Sequence, residues 1–335
     1  MINPQGRTID YLRLSVTDRC NLRCVYCMPP QGVTWMPHTD ILSFEEMLRV
    51  VRVLAGLGIA KIKVTGGEAL TRRGIVELIR QLKQTQGITQ VTMTSNGVLL
   101  AEHLESLANA GLDALNISID TLNAITFARI TRSSGFEQLI AIIEKISSLP
   151  FPVKINCVPI RGYNDSEIAA IAGLARNSAA AVRFIELMPL GRAADFQMLT
   201  QDEVMAEIEK AYGPLAPFQG SLGNGPAAYY SLEGFAGKIG FISPMSRNFC
   251  GKCNRLRLSA AGLLMACLSS TTGLDMRTLL RGNTGNDQQN ATNAHSVASE
   301  DELAEVIKKL VLQKPLCHSF ADAKQTEKEM FRIGG

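Results

Sequence analysis

Six of the eight cysteines fall into two groups of three whose spacing suits a metal centre. They are Cys20, Cys24 and Cys27 in the segment DRCNLRCVYCMPP, and Cys250, Cys253 and Cys267 in the segment NFCGKCNRLRLSAAGLLMACL. In a reducing compartment, clustered cysteines are more often metal ligands or redox groups than disulfides. A structural zinc site generally takes four protein ligands, whereas three cysteines in one short loop can bind three irons of a 4Fe–4S cube and leave the fourth iron open. We interpret the remaining two, Cys157 and Cys317, as ordinary buried thiols.

The first cysteine group resembles the cluster loop of the radical S-adenosylmethionine (SAM) superfamily. Three residues separate its first two cysteines, two residues separate the next pair, and the aromatic Tyr26 precedes Cys27. The segment TGGE at 65–68 resembles the glycine motif that meets the amino group of SAM, where glycines permit a close approach. The resemblance implies that the open iron chelates SAM and that one electron then releases a 5′-deoxyadenosyl radical. The SAM-site residues implied in this way are Tyr26, Gly66, Gly67, Glu68, Ser118 and Met188.

The second cysteine group, taken alone, leaves the choice of metal open. A zinc site there would need a fourth ligand from elsewhere in the chain, with His295 and His318 as candidates. Beside a loop of the radical SAM type, we favour a second 4Fe–4S cluster that also has an open iron. The predicted cofactors are therefore two 4Fe–4S clusters and SAM.

Alternating strands and amphipathic helices must position these groups. We predict six strands with the sequences YLRLSV, KIKVT, VTMTS, ALNISI, VKINCV and VRFIELM. Helices are predicted between them near 44–55, 74–83, 102–110, 136–147 and 165–176. This alternation predicts a parallel sheet with right-handed crossovers, and six such units form an incomplete barrel. The predicted fold class is α/β, an incomplete (βα)6 TIM-like barrel with a smaller C-terminal α+β extension.

The predicted strands carry polar side chains at alternate positions, unlike parallel strands that are apolar on both faces. Arg13 and Ser15 share a face of the first strand, Lys61 and Lys63 a face of the second. The later strands continue the pattern with Thr92, Thr94, Asn116, Ser118, Asp120, Lys154 and Asn156. With helices packed outside, the polar faces must point into the barrel, which predicts a wet cavity for a polar ligand. The alternative is a one-sided antiparallel sheet with a solvated polar face, which the long helical connections disfavour.

The repeating pattern stops after Met188, and a Gly- and Pro-rich stretch follows at 213–226. We predict a core at 1–190 and a C-terminal region at 191–335 that carries the second cysteine group and the terminal Gly-Gly. Strands are expected in the segments AAYYSL and GKIGFIS. The polar stretch at 282–299 is predicted to be a mobile surface loop.

Nearly the whole chain resembles the GTP 3′,8-cyclase family, also called molybdenum cofactor biosynthesis protein A. The matching segments are LRLSVTDRCNLRCVYCMP, TGGEALTRR, TSNG, LNISID, VKINCV, RFIELMPLG, FCGKCNRLRLSAAGLLMACL and the terminal IGG. The resemblance implies conversion of GTP to 3′,8-cyclo-7,8-dihydro-GTP, the first step toward the molybdenum cofactor. The adenosyl radical would abstract the ribose 3′ hydrogen, and the resulting carbon radical would attack C8 of guanine.

The same resemblance implies a substrate site and a catalytic tail. The guanine base would bind the open iron of the second cluster. The implied GTP ligands are Arg13, Lys63, Thr94, Lys154, Arg183, Arg255 and Arg257. Arg257, Gly334 and Gly335 are the implied catalytic residues, with the Gly-Gly end threaded into the site. The chain departs from the family pattern at Ala69, where Pro is usual, and at Lys63, where Arg is common.

The residues support a triphosphate ligand independently of the resemblance. A triphosphate carries about four negative charges near neutral pH, and cations on inward strand faces are costly unless an anion compensates them. The alternative is that these cations form local salt bridges or lie at exposed edges. The sequence contains no GxxxxGK[ST] phosphate loop, so side chains would have to hold the nucleotide.

The bulk properties limit the other function classes. The net charge of +3 does not indicate nucleic-acid binding, no apolar run approaches the ~18 residues of a membrane span, and no signal peptide is present, so we predict a cytoplasmic enzyme. The implied partners are GTP, a one-electron reductant and, transiently, cyclic pyranopterin monophosphate synthase, for a monomer or homodimer. The competing hypotheses are a peptide-modifying radical SAM enzyme and a zinc-dependent binding module.

Overall fold

The structure is a computed structural model, and it describes residues 1–220, 222–270, 272–282, 297–320 and 330–334. The polar stretch that we predict to be a mobile loop lies outside the described residues over 283–296. Within the described ranges, no helix has the length and apolar character that a membrane crossing requires.

In this described part of the chain, one sheet of twelve strands forms the centre of the molecule. The strands are β1 (Tyr11–Ser15), β2 (Lys61–Thr65), β3 (Gln90–Ser95), β4 (Ala114–Ser118), β5 (Val153–Cys157), β6 (Ala181–Ile185), β7 (Ala216–Pro217), β8 (Ala228–Ser231), β9 (Lys238–Ile242), β10 (Arg255–Leu258), β11 (Leu263–Met265) and β12 (Leu274–Asp275). Their order across the sheet is β12-β11-β10-β1-β2-β3-β4-β5-β6-β9-β8-β7. The sheet does not close on itself within these residues, and the predicted incomplete barrel is confirmed.

Helices cover the outer face of the sheet. Those in the described residues are α1 (Phe44–Gly56), α2 (Ile75–Gln84), α3 (Leu104–Asn109), α4 (Ala124–Thr131), α5 (Phe136–Glu144), α6 (Ile168–Gly173), α7 (Gln201–Tyr212), α8 (Met276–Arg281), α9 (Glu300–Leu312) and α10 (Met330–Ile333). Helix α1 begins at a capping box, in which Ser43 accepts a hydrogen bond from the amide of Glu46 and the Glu46 carboxylate accepts one from the amide of Ser43. The five helices predicted from the sequence correspond to α1, α2, α3, α5 and α6.

The two faces of the parallel strands differ as the alternating pattern predicts. Leu12 and Leu14 of β1 are fully buried in the hydrophobic core between sheet and helices. On the inner face, Arg13 lies in register between Arg257 of β10 and Lys63 of β2. Because residues in register on neighbouring parallel strands point to the same side, the three cations form one row inside the barrel.

The C-terminal strands extend both edges of the six-stranded core rather than packing apart from it. Strand β10 pairs in parallel with β1, and β9 pairs in parallel with β6, so eight adjacent strands run parallel. The remaining four strands add antiparallel pairs at the two edges. The sequence did not predict β10, because its four residues lie within the second cysteine motif and its partner β1 is far away in the chain. This pairing brings the second cysteine group to the barrel.

Candidate active site

Both cysteine groups open onto one cavity of about 330 Å³ inside the barrel. The cavity extends along the polar strand faces and past the carboxyl ends of the strands, where loops of an α/β barrel commonly build active sites. Its wall includes all six cysteines of the two groups, namely Cys20, Cys24, Cys27, Cys250, Cys253 and Cys267. The two groups therefore face a shared space, as a reaction between a molecule held at one and a molecule held at the other requires.

The end of helix α4 and Arg132 hold the loop of the first cysteine group. The amides of Arg23 and Val25 donate to carbonyls of the last turn of α4, at 2.9 and 2.8 Å. Arg132 follows α4 with φ 53°, the only positive φ of a non-glycine residue in the described chain. Its Nη1 donates to the carbonyl oxygens of Arg23 at 3.2 Å and Met28 at 2.9 Å. These contacts fix the backbone on both sides of Cys24 and Cys27.

The glycine motif after β2 packs directly against the backbone of residues 17–19, which immediately precede Cys20. An added Cβ on Gly67 would lie 2.4 Å from the carbonyl oxygen of Arg19 and 2.8 Å from that of Asp18. The amide of Gly67 donates to the Thr17 carbonyl at 2.8 Å, and the amide of Glu68 donates to the Arg19 carbonyl at 2.8 Å. Gly67 is therefore needed for this close backbone contact, whatever ligand it also meets.

Glu68 is buried behind the cavity wall. Its Oε1 accepts a hydrogen bond from the amide of Leu70 at 3.0 Å, and its Oε2 accepts one from the amide of Asn96 at 2.6 Å. Burial raises the pKa of the Glu68 carboxyl, and the two backbone donors act against that rise. Glu68 thus links the loops after β2 and β3, and it is absent from the described residues that form the wall.

The other residues implied for SAM line the cavity. Tyr26, Gly66, Gly67, Ser118 and Met188 all belong to its wall. The hydroxyl of Tyr26 donates to Oδ2 of Asp120 at 2.6 Å, and Oδ1 of Asp120 accepts from the amide of Val158 at 2.9 Å. The sequence analysis placed Asp120 on the same inward face as Ser118, but it did not predict the contact with Tyr26.

Burial favours the protonated form of the thiols of the first group in the free protein. Burial raises the pKa of Cys20 to about 12 and that of Cys24 well above its usual value. Neighbouring thiolates raise the pKa of Cys24 further, because Cys20 and Cys27 lie close to it. Iron cations offset both costs, so cluster assembly must displace protons from these thiols. The three donors on one loop fit a 4Fe–4S cluster.

The second group lies in a more positive environment. Burial acts to raise the pKa of Cys253, but Arg255 and Lys314 outweigh it and lower the pKa to about 7. The ammonium of Lys314 is buried and donates to the Arg255 carbonyl at 2.8 Å. Arg7 is also buried, and its Nη1 donates to the carbonyl of Cys250 at 3.0 Å. Sequence reasoning missed Arg7 and Lys314, which no local pattern connects with the cysteines.

The geometry offers little support for zinc at the second group. No three His, Cys, Asp or Glu side chains of the described chain are placed to hold a single metal ion. Three thiolates that each bind a different iron of a cube are farther apart than ligands of one ion, so the groups fit clusters better. His318 lines the cavity, but its Nε2 lies 2.7 Å from the carbonyl oxygen of Pro244. His295 lies outside the described residues.

Most of the cations implied for GTP meet at the inner face. Arg13, Lys63, Arg183, Arg255 and Arg257 line the cavity together with Thr94. Burial lowers the pKa of Arg13 to about 10 and those of Lys63 and Arg257 well below their usual values, and the cations lower one another's pKa further. Lys63 and Arg257 form no ion pair with a carboxylate of the described chain. An anion in the cavity would relieve this repulsion.

Lys154 lies near Arg183, but it is not among the described residues that line the cavity. It is in register with Asn116, which does line the cavity. Burial, followed by repulsion from Arg183, lowers its pKa to about 8. Two asparagines that the sequence analysis placed on the inward faces, without a ligand role, line the cavity as well. Asn116 donates to Thr94 at 3.4 Å, and Oδ1 of Asn156 accepts from Nε and Nη2 of Arg183 at 3.0 and 2.6 Å.

The C-terminal end of the chain reaches the same cavity. Nη1 of Arg257 donates to the carbonyl of Gly334 at 3.2 Å. Gly334 has φ +71°, and an added Cβ would lie 2.4 Å from Oγ1 of Thr65 and 2.9 Å from Cβ of Ser15. Phe331 is buried in the wall, whereas Arg332 is exposed. Gly335 lies outside the described residues.

Comparisons with known proteins agree with the barrel and its cysteine loop. Residues 14–175 match the radical SAM superfamily, and residues 180–320 match the family described as Molybdenum Cofactor Synthesis C. The fold resembles that of SuiB of Streptococcus suis in the crystal structure bound to S-adenosylmethionine, with a TM-score of 0.58 and 12% identity over 80% of this chain and 63% of that one. The chain therefore has the fold and the cluster loop of the radical SAM superfamily, whose members bind a 4Fe–4S cluster and SAM.

Full-length relatives define the family more closely. The chain is 42% identical to the GTP 3′,8-cyclases of Desulforamulus reducens and Syntrophomonas wolfei, over 100% of each chain. It is 41% identical to the GTP 3′,8-cyclase of Thermodesulfovibrio yellowstonii over 98% of both chains. The chain belongs to the GTP 3′,8-cyclase family of the radical SAM enzymes.

Proposed function

We propose that the chain converts GTP to 3′,8-cyclo-7,8-dihydro-GTP, the first step of molybdenum cofactor biosynthesis, and that it does so as a lyase. The observation that carries the proposal is the single cavity, with a cysteine group at each of two sides and a row of buried cations between them. Anaerobic incubation of the reconstituted protein with GTP, SAM and a reductant tests it. The expected product is the cyclised nucleotide together with 5′-deoxyadenosine.

Two clusters have distinct roles in this proposal. When bound at Cys20, Cys24 and Cys27, a 4Fe–4S cluster supplies the electron that cleaves SAM to the 5′-deoxyadenosyl radical. The second cysteine group holds a second cluster near the guanine base. The protein's own part is to keep the two bound molecules in one water-poor space, because a fixed orientation removes most of the entropic barrier. Asp120, through Tyr26, keeps the first loop against the cavity.

The cationic row binds the triphosphate. Arg257, Arg13 and Lys63 are adjacent on three neighbouring strands, so their charges add over a short distance. Arginine suits bidentate contacts with phosphate oxygens, whereas lysine acts as a point charge. Asn156 fixes the guanidinium of Arg183 through two of its nitrogens, which orients that side chain before any ligand binds.

Replacing Arg257 with Ala should weaken GTP binding about ten- to hundredfold, which corresponds to the 1.5–3 kcal/mol of a charge-assisted hydrogen bond. Arg257→Lys keeps the positive charge but loses the bidentate contact of the guanidinium. Its Kd for GTP should therefore lie between those of the wild type and Arg257→Ala. Equilibrium dialysis with GTP measures the Kd. Arg247→Ala is the control, because Arg247 pairs with Asp202 at the surface. An unchanged Kd for Arg257→Ala would remove this residue from the site.

Lys63 should take up a proton when GTP binds at a pH above the lowered pKa that Lys63 has in the free protein. Burial and neighbouring cations lower its pKa in the free protein, and the phosphates would raise that pKa again. GTP affinity should therefore fall as the pH rises through the pKa of the free protein toward the pKa of the complex. Calorimetry in buffers of different ionisation enthalpy measures the proton uptake. Lys63→Arg should remove the share of the uptake that belongs to Lys63, because Arg stays charged, and leave the share of Lys154, whose pKa is about 8. Uptake that is unchanged in this variant would assign the proton elsewhere.

Several further features belong to the same proposal. The enzyme works in the cytoplasm, receives single electrons from a reductant, and contacts cyclic pyranopterin monophosphate synthase transiently as a monomer or homodimer. We divide the chain functionally at residue 190, with SAM held mainly by 1–190 and the second cluster by 191–335. The family match changes near this point, at 176–179.

A further inference from the structure

A surface groove reaches one of the cysteines of the first group from outside the barrel. Cys20 lines both the inner cavity and this groove, so its sulfur lies in the partition between them. The other groove residues are Asn21, Arg23, Trp35, Ala128, Arg132, Ser133 and Ser134. Nδ2 of Asn96 lies 3.8 Å from the Cys20 sulfur and donates to Oδ1 of Asn21 at 2.8 Å. The groove therefore gives access from the surface to a residue that would hold the first cluster.

A second contact joins the groove to the cavity. The partly exposed ring of Trp35 packs edge-on against Phe331, with 6.2 Å between ring centroids. Phe331 belongs to the cavity wall, whereas Trp35 belongs to the groove. The partition between surface and active site is therefore about one side chain thick at this place too.

The groove is positively charged in a chain that is otherwise nearly neutral. The two segments that build it, 19–36 and 122–136, contain four arginines and no aspartate or glutamate. Of these, Arg19, Arg23 and Arg129 are exposed. Arg23 and Arg132 line the groove itself, and no aspartate or glutamate of the described chain does. The patch therefore favours a negatively charged partner.

We propose that this groove is the docking surface for a small acidic protein that carries single electrons. The inference rests on the proposed function, because reductive cleavage of SAM needs one electron from outside the chain. In the transfer the carrier is oxidised by one electron and the centre at Cys20 is reduced by one, and no bond forms or breaks. Opposite charges steer such a pair together and raise its association rate, an effect that salt weakens.

Reversal of charge in the groove tests this surface. The variants are Arg23→Glu, and Ser134→Glu, which adds a negative charge without removing a side-chain contact. The control is Arg52→Glu on α1, an exposed arginine outside the groove. Arg132 is left unchanged because it holds the cysteine loop. The probe is an acidic flavodoxin, whose Kd for the holoprotein is measured by flavin fluorescence anisotropy at low and at high salt.

Stopped-flow reduction of the first centre provides the second readout. Each groove variant should weaken flavodoxin binding and slow reduction by the reduced carrier about tenfold or more at low salt. When photoreduced 5-deazariboflavin, which is small and uncharged, is the reductant, the groove variants should be reduced at the wild-type rate. The control Arg52→Glu should have the wild-type Kd for flavodoxin and the wild-type rate of reduction. Wild-type Kd and rate in Arg23→Glu and Ser134→Glu would overturn the proposal, as would equal slowing with both reductants. Neither readout involves GTP, so failure here is separate from failure of the cyclase function.

Discussion

Replacing Cys24 with Ala should abolish reductive cleavage of SAM. Two thiolates cannot hold the cube with one defined open site, and burial makes an uncompensated thiolate charge costly at Cys20. We expect no detectable 5′-deoxyadenosine and an iron content that falls by about half if the clusters are independent. Cys253→Ala should lose a similar share of iron but weaken GTP binding instead, and it should keep some uncoupled SAM cleavage.

Two cysteines outside the groups provide controls for that experiment. The structure confirms the predicted burial of Cys157 on β5 but shows Cys317 exposed, contrary to the prediction from the sequence. Cys317→Ser therefore changes an exposed thiol, and Cys157→Ala changes a buried one. Both should keep their full iron content and their SAM cleavage, although Cys157→Ala should lose some stability because it leaves a small cavity. Loss of all iron in either Cys24→Ala or Cys253→Ala would contradict separate cluster sites.

Replacing Gly334 with Ala should lower cyclisation roughly hundredfold while SAM cleavage survives, because a displacement of about 1 Å at an active site has this order of effect. The added methyl group would overlap Oγ1 of Thr65 and Cβ of Ser15, and φ +71° is itself strained for alanine. The tail would leave its place, and Arg257 would lose its contact with the Gly334 carbonyl. The measurement is the ratio of cyclised nucleotide to 5′-deoxyadenosine. Deletion of 334–335, or extension beyond 335, should act in the same direction.

Gly162 offers a matched control for the strain alone. It has φ +73°, and no atom would lie within 4 Å of an added Cβ. Gly162→Ala should therefore cost some stability and leave the product ratio unchanged. A normal ratio in Gly334→Ala would show the tail to be a passive end of the chain, and a fall in both variants would assign the effect to general destabilisation.

The central fold was predictable because its signals are local. Strands β1 to β6 follow from period-two alternation, and the polar half of that alternation predicts the inner cavity. The position of β10 was not predictable in this way, since the RLRL segment carries no sign of its partner β1. The same holds for β9, which was predicted as a strand but pairs in parallel with β6 instead of forming a separate small sheet.

In the candidate site, too, features with a local sequence signal were predicted and contacts between distant segments were not. Cysteine spacing within a short loop predicts ligands directly, and the resemblance supplied the cations on the strands. Contacts between distant segments were missed, such as Tyr26 with Asp120, or Lys314 beside Cys253. For Glu68 the resemblance implies a carboxylate that meets the amino group of SAM, and the structure adds two backbone amides as partners that the sequence did not predict.

Transfer of deuterium from GTP to SAM tests the central claim most directly. The holoprotein is incubated anaerobically with SAM, a reductant and GTP that carries deuterium at the ribose 3′ position, and the 5′-deoxyadenosine is analysed by mass spectrometry. If one cavity holds both molecules as described, the 5′-deoxyadenosine carries the deuterium and the nucleotide is recovered as the 3′,8-cyclised product. Unlabelled 5′-deoxyadenosine beside unchanged GTP would contradict the account.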